Sequence, residues 1–117
     1  MTLEEFYRKN GGNADKTVSR LGNSSMLVRF LHMLRQDDTF SVLAAALERG
    51  DGEEAFRMAH ALKGIASNLG LDTLSDAASA LTSELRDGDM SRGQALLPPV
   101  EHAYRQVLSG LEALEIQ

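Results

Sequence analysis

Apolar side chains recur at helical spacing along most of the chain, in segments that glycine-containing turns separate. Leu27, Phe30, Leu31 and Leu34 stand at positions i, i+3, i+4 and i+7, and later segments repeat that spacing. This pattern places the apolar side chains on one face of a helix, whereas a half-buried strand needs strict alternation. Aromatic residues make up only 5% of the chain, which also suits helix packing better than sheets. The sequence therefore predicts an all-α fold.

The turn signals divide the chain into short and long predicted helices. The predicted spans are 3–9, 14–21, 25–35, 39–49, 53–69, 73–86 and 91–115. Asp72 and Ser91 are the candidate N-caps of the last two, and Pro98-Pro99 should kink or restart the final helix. Because short connections favour antiparallel neighbours, we expect an antiparallel up-down four-helix bundle with short additional N-terminal helices. We expect one domain over 1–117, with 1–23 as a helical extension and 24–117 as the bundle.

Composition argues against several kinds of function. A formal charge of −5 disfavours nucleic acid as a partner, and the lack of cysteine excludes disulfides and thiolate chemistry. No segment approaches the roughly 20 apolar residues that span a membrane, and no basic stretch precedes an apolar run at the start. We therefore expect no membrane partner and a cytoplasmic location. A di-metal site in a bundle needs Glu-x-x-His pairs, which the sequence lacks, so no metal site is expected.

The predicted helix 53–69 separates a core face from an outer face. On a helical wheel centred on Leu62, the side chains of the predicted core stripe fall within roughly 60°: Ala55, Met58, Ala59, Ile65, Ala66 and Leu69. His60, Gly64 and Ser67 fall roughly 140° to 160° away, so they should point outward. A neutral imidazole there is a competent nucleophile.

The outer face carries more than a solvated surface needs. Lys63 and Phe56 lie on the flank of His60, each about one turn away. Lys63 would offset the negative charge of a phosphoryl group on the imidazole. Glycine inside a helix lowers stability by about 0.5–1 kcal/mol relative to alanine, so its presence at position 64 calls for an explanation. Room for another protein to approach the imidazole is one such reason.

Other interpretations of these residues stay open. An isolated exposed histidine is usually a solvated side chain, Gly64 could serve tight helix packing, and Phe56 could cover a groove of the bundle. His32 and His102 lie off the apolar stripes of their helices and are interpreted as surface residues.

The segment His60-Ala61-Leu62-Lys63-Gly64, followed by Asn68-Leu69-Gly70, resembles the signature of histidine-containing phosphotransfer (HPt) domains, written H-x-L-K-G-x-x-x-x-L-G. The order and lengths of the predicted helices resemble those domains too. The resemblance implies that His60 is phosphorylated, that Lys63 supports it electrostatically and that Gly64 provides docking clearance. Ile65 stands where the family usually has a small residue, and because the wheel buries it we expect altered packing rather than altered chemistry.

Supporting residues are expected on the next helix. If the chain folds back about residue 71, Thr82 lies near His60 and Arg86 lies near Phe56. In the family a polar side chain of this helix often bonds the imidazole nitrogen that is not phosphorylated, a role Thr82 could take. Arg86 could contact the phosphoryl group or the partner, or be a solvated helix end.

The resulting prediction is a phosphocarrier without kinase activity. It would relay a phosphoryl group between His60 and the Asp of a response-regulator receiver domain, and the Mg²⁺ would belong to the receiver. A histidine kinase would be a separate protein, because no Gly-rich phosphate loop is present and no cofactor is expected in this chain. Phe56, Ser67, Thr82 and Arg86 are the predicted supporting or docking residues, and a monomer is expected. The rival hypothesis is a helical adaptor that binds a signalling partner through the His60 face, or an HPt domain that has lost transfer.

Overall fold

A computed structural model describes residues 1–114, and the regular elements in that range are all helical. The all-α prediction is therefore confirmed. The α-helices are α1 Leu3–Lys9, α2 Ala14–Leu21, α3 Ser24–Met33, α4 Thr39–Glu48, α5 Gly52–Asn68, α6 Asp72–Arg86, α7 Met90–Ala95 and α8 Leu97–Ala113. A turn of 3-10 helix, Leu34–Gln36, follows α3. None of the described helices is long and apolar enough to cross a membrane.

Two predicted helix caps are wrong. Asp72 is the first residue of α6, and Leu71 holds the N-cap position without a side-chain hydrogen bond. Ser91 lies inside α7, which Asp89 caps by accepting a hydrogen bond from the backbone N–H of Arg92. In both cases the turn geometry, rather than the presence of a suitable polar residue nearby, decides which residue occupies the cap.

The predicted final helix is divided in two at Leu96. That residue ends α7 and precedes α8, whose first turn contains Pro98 and Pro99. Proline has no backbone donor and suits the first turn of a helix, so the chain restarts its helix there. The predicted end of this helix at residue 115 lies outside the described residues.

The core lies where the long helices meet. Helix α5 packs against α4 on one side and α6 on the other, and α6 also contacts α7 and α8. Leu62, Ala59 and Ala66 of α5 are fully buried in this core. Met58 and Ile65 pack against this core, as the wheel predicts, but they are only half-buried. They lie at the edge of the apolar stripe, where the neighbouring helices leave part of each side chain uncovered.

The N-terminal helices pack into the same core. Phe6 and Tyr7 of α1 are 0% exposed. A Cβ atom placed on Gly110 of α8 would lie 2.9 Å from the Phe6 ring, so α1 and α8 approach closely. The backbone N–H of Thr73 donates a 3.1 Å hydrogen bond to the carbonyl of Asn10. Residues 1–23 thus cover one end of the helices that follow.

Candidate functional site

His60 stands in the middle of α5, on the side away from the core. Its side chain is exposed, whereas Ala59 and Leu62 beside it in the sequence are buried. Helix α5 is well defined at its start, where Asp51 accepts a hydrogen bond from the backbone N–H of Glu54. The imidazole is therefore presented to solvent on a helix whose other face is fixed by packing.

An aromatic ring and a guanidinium group lie next to the imidazole. The rings of Phe56 and His60 are nearly parallel, with an angle of 12° between their planes and 6.1 Å between their centroids. The guanidinium carbon of Arg86 lies 5.7 Å from the centroid of the Phe56 ring. Arg86 comes from the last turn of α6, so the structure brings it to Phe56 as the antiparallel geometry of α5 and α6 predicts.

Two cations near His60, Lys63 and Arg86, have no ion-pair partner among residues 1–114. Lys63 is half-buried and Arg86 is exposed. Arg57, also on α5, differs because it pairs with Glu54. In a protein of net charge −5, these two free cations create a local setting that favours an anion beside the imidazole.

Gly64 leaves open space one turn beyond His60. A Cβ atom added at this glycine would meet no atom of the described residues within 4 Å. The interpretation that Gly64 allows tight packing between helices of the chain is therefore wrong. The missing side chain leaves a flat, exposed surface next to the imidazole, which another molecule can approach.

The two remaining predicted site residues, Ser67 and Thr82, differ in how deeply they are buried. Ser67 is exposed on the His60 side of α5. Thr82 is only 1% exposed, and its hydroxyl donates a 2.7 Å hydrogen bond to the carbonyl of Ala78 in its own helix. The Thr82 oxygen can therefore act toward another group only as an acceptor.

Sequence reasoning missed the residues that hold the end of α5. The Tyr7 hydroxyl donates a 2.5 Å hydrogen bond to the carbonyl of Leu69, and Arg20 donates to the carbonyls of Ser67 and Asn68. Burial raises the pKa of the Tyr7 phenol, and the nearby Arg20 guanidinium opposes part of this rise. An aromatic pair in the short first helix was the available signal, since such bulk needs a core to pack into.

The two other histidines differ in their surroundings. His102 is exposed on α8, as predicted. His32 is half-buried, and its Nε2 atom is buried without a hydrogen-bond partner in the described part of the chain, so the prediction of a surface residue is wrong. In residues 1–114, no group of three or more histidine, aspartate or glutamate side chains is arranged to hold a metal ion.

Comparison with protein families identifies a match over most of the chain. The model of the family described as Hpt domain matches residues 25–115, a range that contains all but the first residue of α3, the whole of α4 to α8, and His60. No curated protein and no solved structure shows significant similarity to the chain.

Proposed function

Because the chain belongs to the Hpt domain family, whose members carry phosphoryl groups on histidine in phosphorelay signalling, we propose that His60 is the residue it phosphorylates. The observation that carries this proposal is the exposed imidazole of His60 beside two cations without ion-pair partners among residues 1–114. Domains of this family are phosphocarriers rather than kinases. The proposed donor and acceptor is the aspartate of a response-regulator receiver domain.

The proposed transfer exchanges one phosphorus bond for another. The ring nitrogen of His60 that carries the lone pair attacks the phosphorus of the receiver's phosphoaspartate. The new N–P bond forms as the P–O bond breaks, and the aspartate leaves as a carboxylate with the electron pair. The second ring nitrogen keeps its proton throughout. The reverse reaction returns the phosphoryl group to a receiver, with the Mg²⁺ held by that partner.

We assign supporting roles to the neighbouring residues. Lys63 and Arg86 stabilise the negative charge of the phosphoryl oxygens, because charge-assisted hydrogen bonds to phosphate are strong. Gly64, and the exposed Ser67 beyond it, form the surface against which the receiver docks. Thr82 is proposed to accept a hydrogen bond from the protonated ring nitrogen of His60. This bond is not formed among residues 1–114 of the structure, where the Thr82 hydroxyl donates its own proton to Ala78.

The scaffold we propose for this site is an antiparallel up-down bundle of α4, α5, α6 and α8. Short connections, 49–51 before α5 and 69–71 after it, support alternate directions for the first three helices. A monomer is proposed because the apolar stripes of these helices are buried within the chain. Sedimentation at several concentrations tests the monomer directly.

A transfer assay tests the function. The protein is mixed with receiver domains labelled on aspartate, and the label on this chain is measured over time. We expect acid-labile, base-stable label on the wild type and none on His60→Gln. His102→Gln is the matched control, because it removes an exposed histidine from a different helix, and it should be labelled like the wild type.

Two results would contradict the proposal. Equal labelling of His60→Gln and wild type would place the chemistry on another residue. If the wild type stays unlabelled with every cognate receiver, the chain binds a partner at most and transfers no phosphoryl group.

A further inference from the structure

Phe56 contacts two groups that come from different helices. Its ring lies parallel to that of His60, one turn further along α5, and it also receives the Arg86 guanidinium from α6. Phe56 is half-buried and packs against the hydrophobic core, so its own position is fixed from below. It is therefore an anchored side chain between the imidazole and a cation.

The contacts of His60 leave its ring orientation dependent on Phe56. The imidazole is exposed, and within residues 1–114 no hydrogen bond to it is present. An exposed side chain normally exchanges between rotamers, and only a packed neighbour restricts it. Near-parallel aromatic rings at this separation attract each other, which favours one arrangement of the imidazole.

From these contacts we infer that Phe56 is a positioning residue, which orients the His60 imidazole for attack and holds Arg86 ready for the phosphoryl group. The inference rests on the proposed function and deepens it. Before phosphorylation, Arg86 is held over the Phe56 ring by a cation–π contact. A phosphoryl group on His60 offers the guanidinium a stronger, charge-assisted partner. Arg86 then moves from the ring to the phosphoryl oxygens.

Phosphoramidate provides a small donor that tests this inference without a receiver. The His60 nitrogen attacks its phosphorus, the N–P bond to His60 forms, and the original P–N bond breaks to release ammonia. We expect Phe56→Leu to slow this reaction by about three- to tenfold, because a misoriented nucleophile loses part of its reactive geometry. Phe56→Tyr keeps the ring and should remain close to the wild-type rate. With a phosphorylated receiver as donor, Phe56→Leu should lower the maximal rate and leave the half-saturating receiver concentration unchanged.

Phe40→Leu is the matched control. Phe40 is also half-buried and stacks on Tyr104 with 14° between the ring planes and 4.6 Å between centroids, but it lies on α4. Its replacement removes an aromatic stack of the same kind away from His60. The phosphorylation rate of Phe40→Leu should equal that of the wild type.

Nuclear magnetic resonance tests whether Phe56 orients His60, even if no phosphoryl group is transferred. Three-bond couplings of His60 should report one dominant rotamer in the wild type and rotamer averaging in Phe56→Leu. The side-chain Nε–H signal of Arg86 should shift when His60 is phosphorylated. Unchanged couplings together with a wild-type phosphoramidate rate in Phe56→Leu would overturn the inference. If phosphoramidate labels His60 with this Phe56 dependence but no receiver does, the proposed function fails and the positioning role stands.

Discussion

The Tyr7 hydroxyl donates a hydrogen bond to the carbonyl of Leu69, the C-cap residue that directly follows the helix carrying His60. Close to this bond, Arg20 donates to the carbonyls of Ser67 and Asn68. The last turn of a helix has carbonyl groups without partners inside the helix, and these need other donors. The N-terminal helices supply them, and so contribute to the scaffold of the site without touching His60.

Replacement of Tyr7 by phenylalanine should destabilise the fold. The change leaves the buried Leu69 carbonyl without this donor, which costs about 1–3 kcal/mol in the free energy of unfolding. Urea denaturation measures the loss. Tyr104→Phe is the control, because the Tyr104 hydroxyl makes no hydrogen bond within residues 1–114, and its effect should be clearly smaller. Equal effects of the two changes would show that the Leu69 bond contributes nothing specific.

Stability should depend on pH through the same tyrosine. Burial raises the pKa of Tyr7 in the folded state above its ordinary value of 10.0. The folded chain therefore keeps this proton after the unfolded chain has lost it, so stability is complete below about pH 10 and falls as the pH rises further. Denaturation between pH 8 and pH 11 should show a steeper fall for the wild type than for Tyr7→Phe. Parallel curves would contradict the linkage.

Substitutions at Gly64 should affect the stability of the fold and the docking of the receiver in different ways. Because a Cβ atom there meets nothing within 4 Å, Gly64→Ala should stabilise α5 by about 0.5–1 kcal/mol. Gly64→Gln should also fold, but it should raise the receiver concentration needed for half-maximal transfer while phosphoramidate still labels His60 at the normal rate. An unchanged receiver dependence would refute the docking role.

Gly93 provides the contrast for that experiment. A Cβ atom at Gly93 would lie 2.6 Å from Cδ2 of the buried Leu85, so Gly93→Ala should destabilise the fold by about 1–3 kcal/mol through overpacking. The opposite signs expected at the two glycines distinguish open space from close helix contact.

Lys63 should affect the rate of transfer rather than the fold. Loss of its charge in Lys63→Gln removes about 1 kcal/mol of interaction with the phosphoryl group, which corresponds to about three- to tenfold in the maximal rate. Lys63→Arg should recover most of the rate. Lys16→Gln, on the exposed side of α2, removes an equal charge away from the site and should leave transfer unchanged.

The sequence correctly predicted which residues of α5 face the core and which face outward, because helical periodicity determines this. The wheel of α5 placed His60 and Gly64 outward and Leu62 inward, because burial along a helix follows its period. The pairing of Arg86 with Phe56 followed from a short connection between antiparallel helices. These relationships depend on local geometry, so the spacing of residues along the sequence is enough to predict them.

The details that failed depend on neighbours that are distant in the sequence. The half-burial of Ile65 and His32 is set by how closely other helices approach, which no local pattern records. Tyr7 and Arg20 act on carbonyl groups about 50 to 60 positions away, and backbone carbonyls have no sequence signature. The role of the N-terminal helices was therefore accessible only from the fold.

Carrier function requires that the phosphoryl group both arrive at His60 and leave it. The most direct measurement isolates the labelled protein, maps the label, and then adds an unphosphorylated receiver domain. The account predicts one phosphoryl group per chain, on His60, and its transfer to the aspartate of the receiver as the label disappears from this protein. Label on a residue other than His60, or label that is released only as inorganic phosphate when the receiver is added, would contradict it.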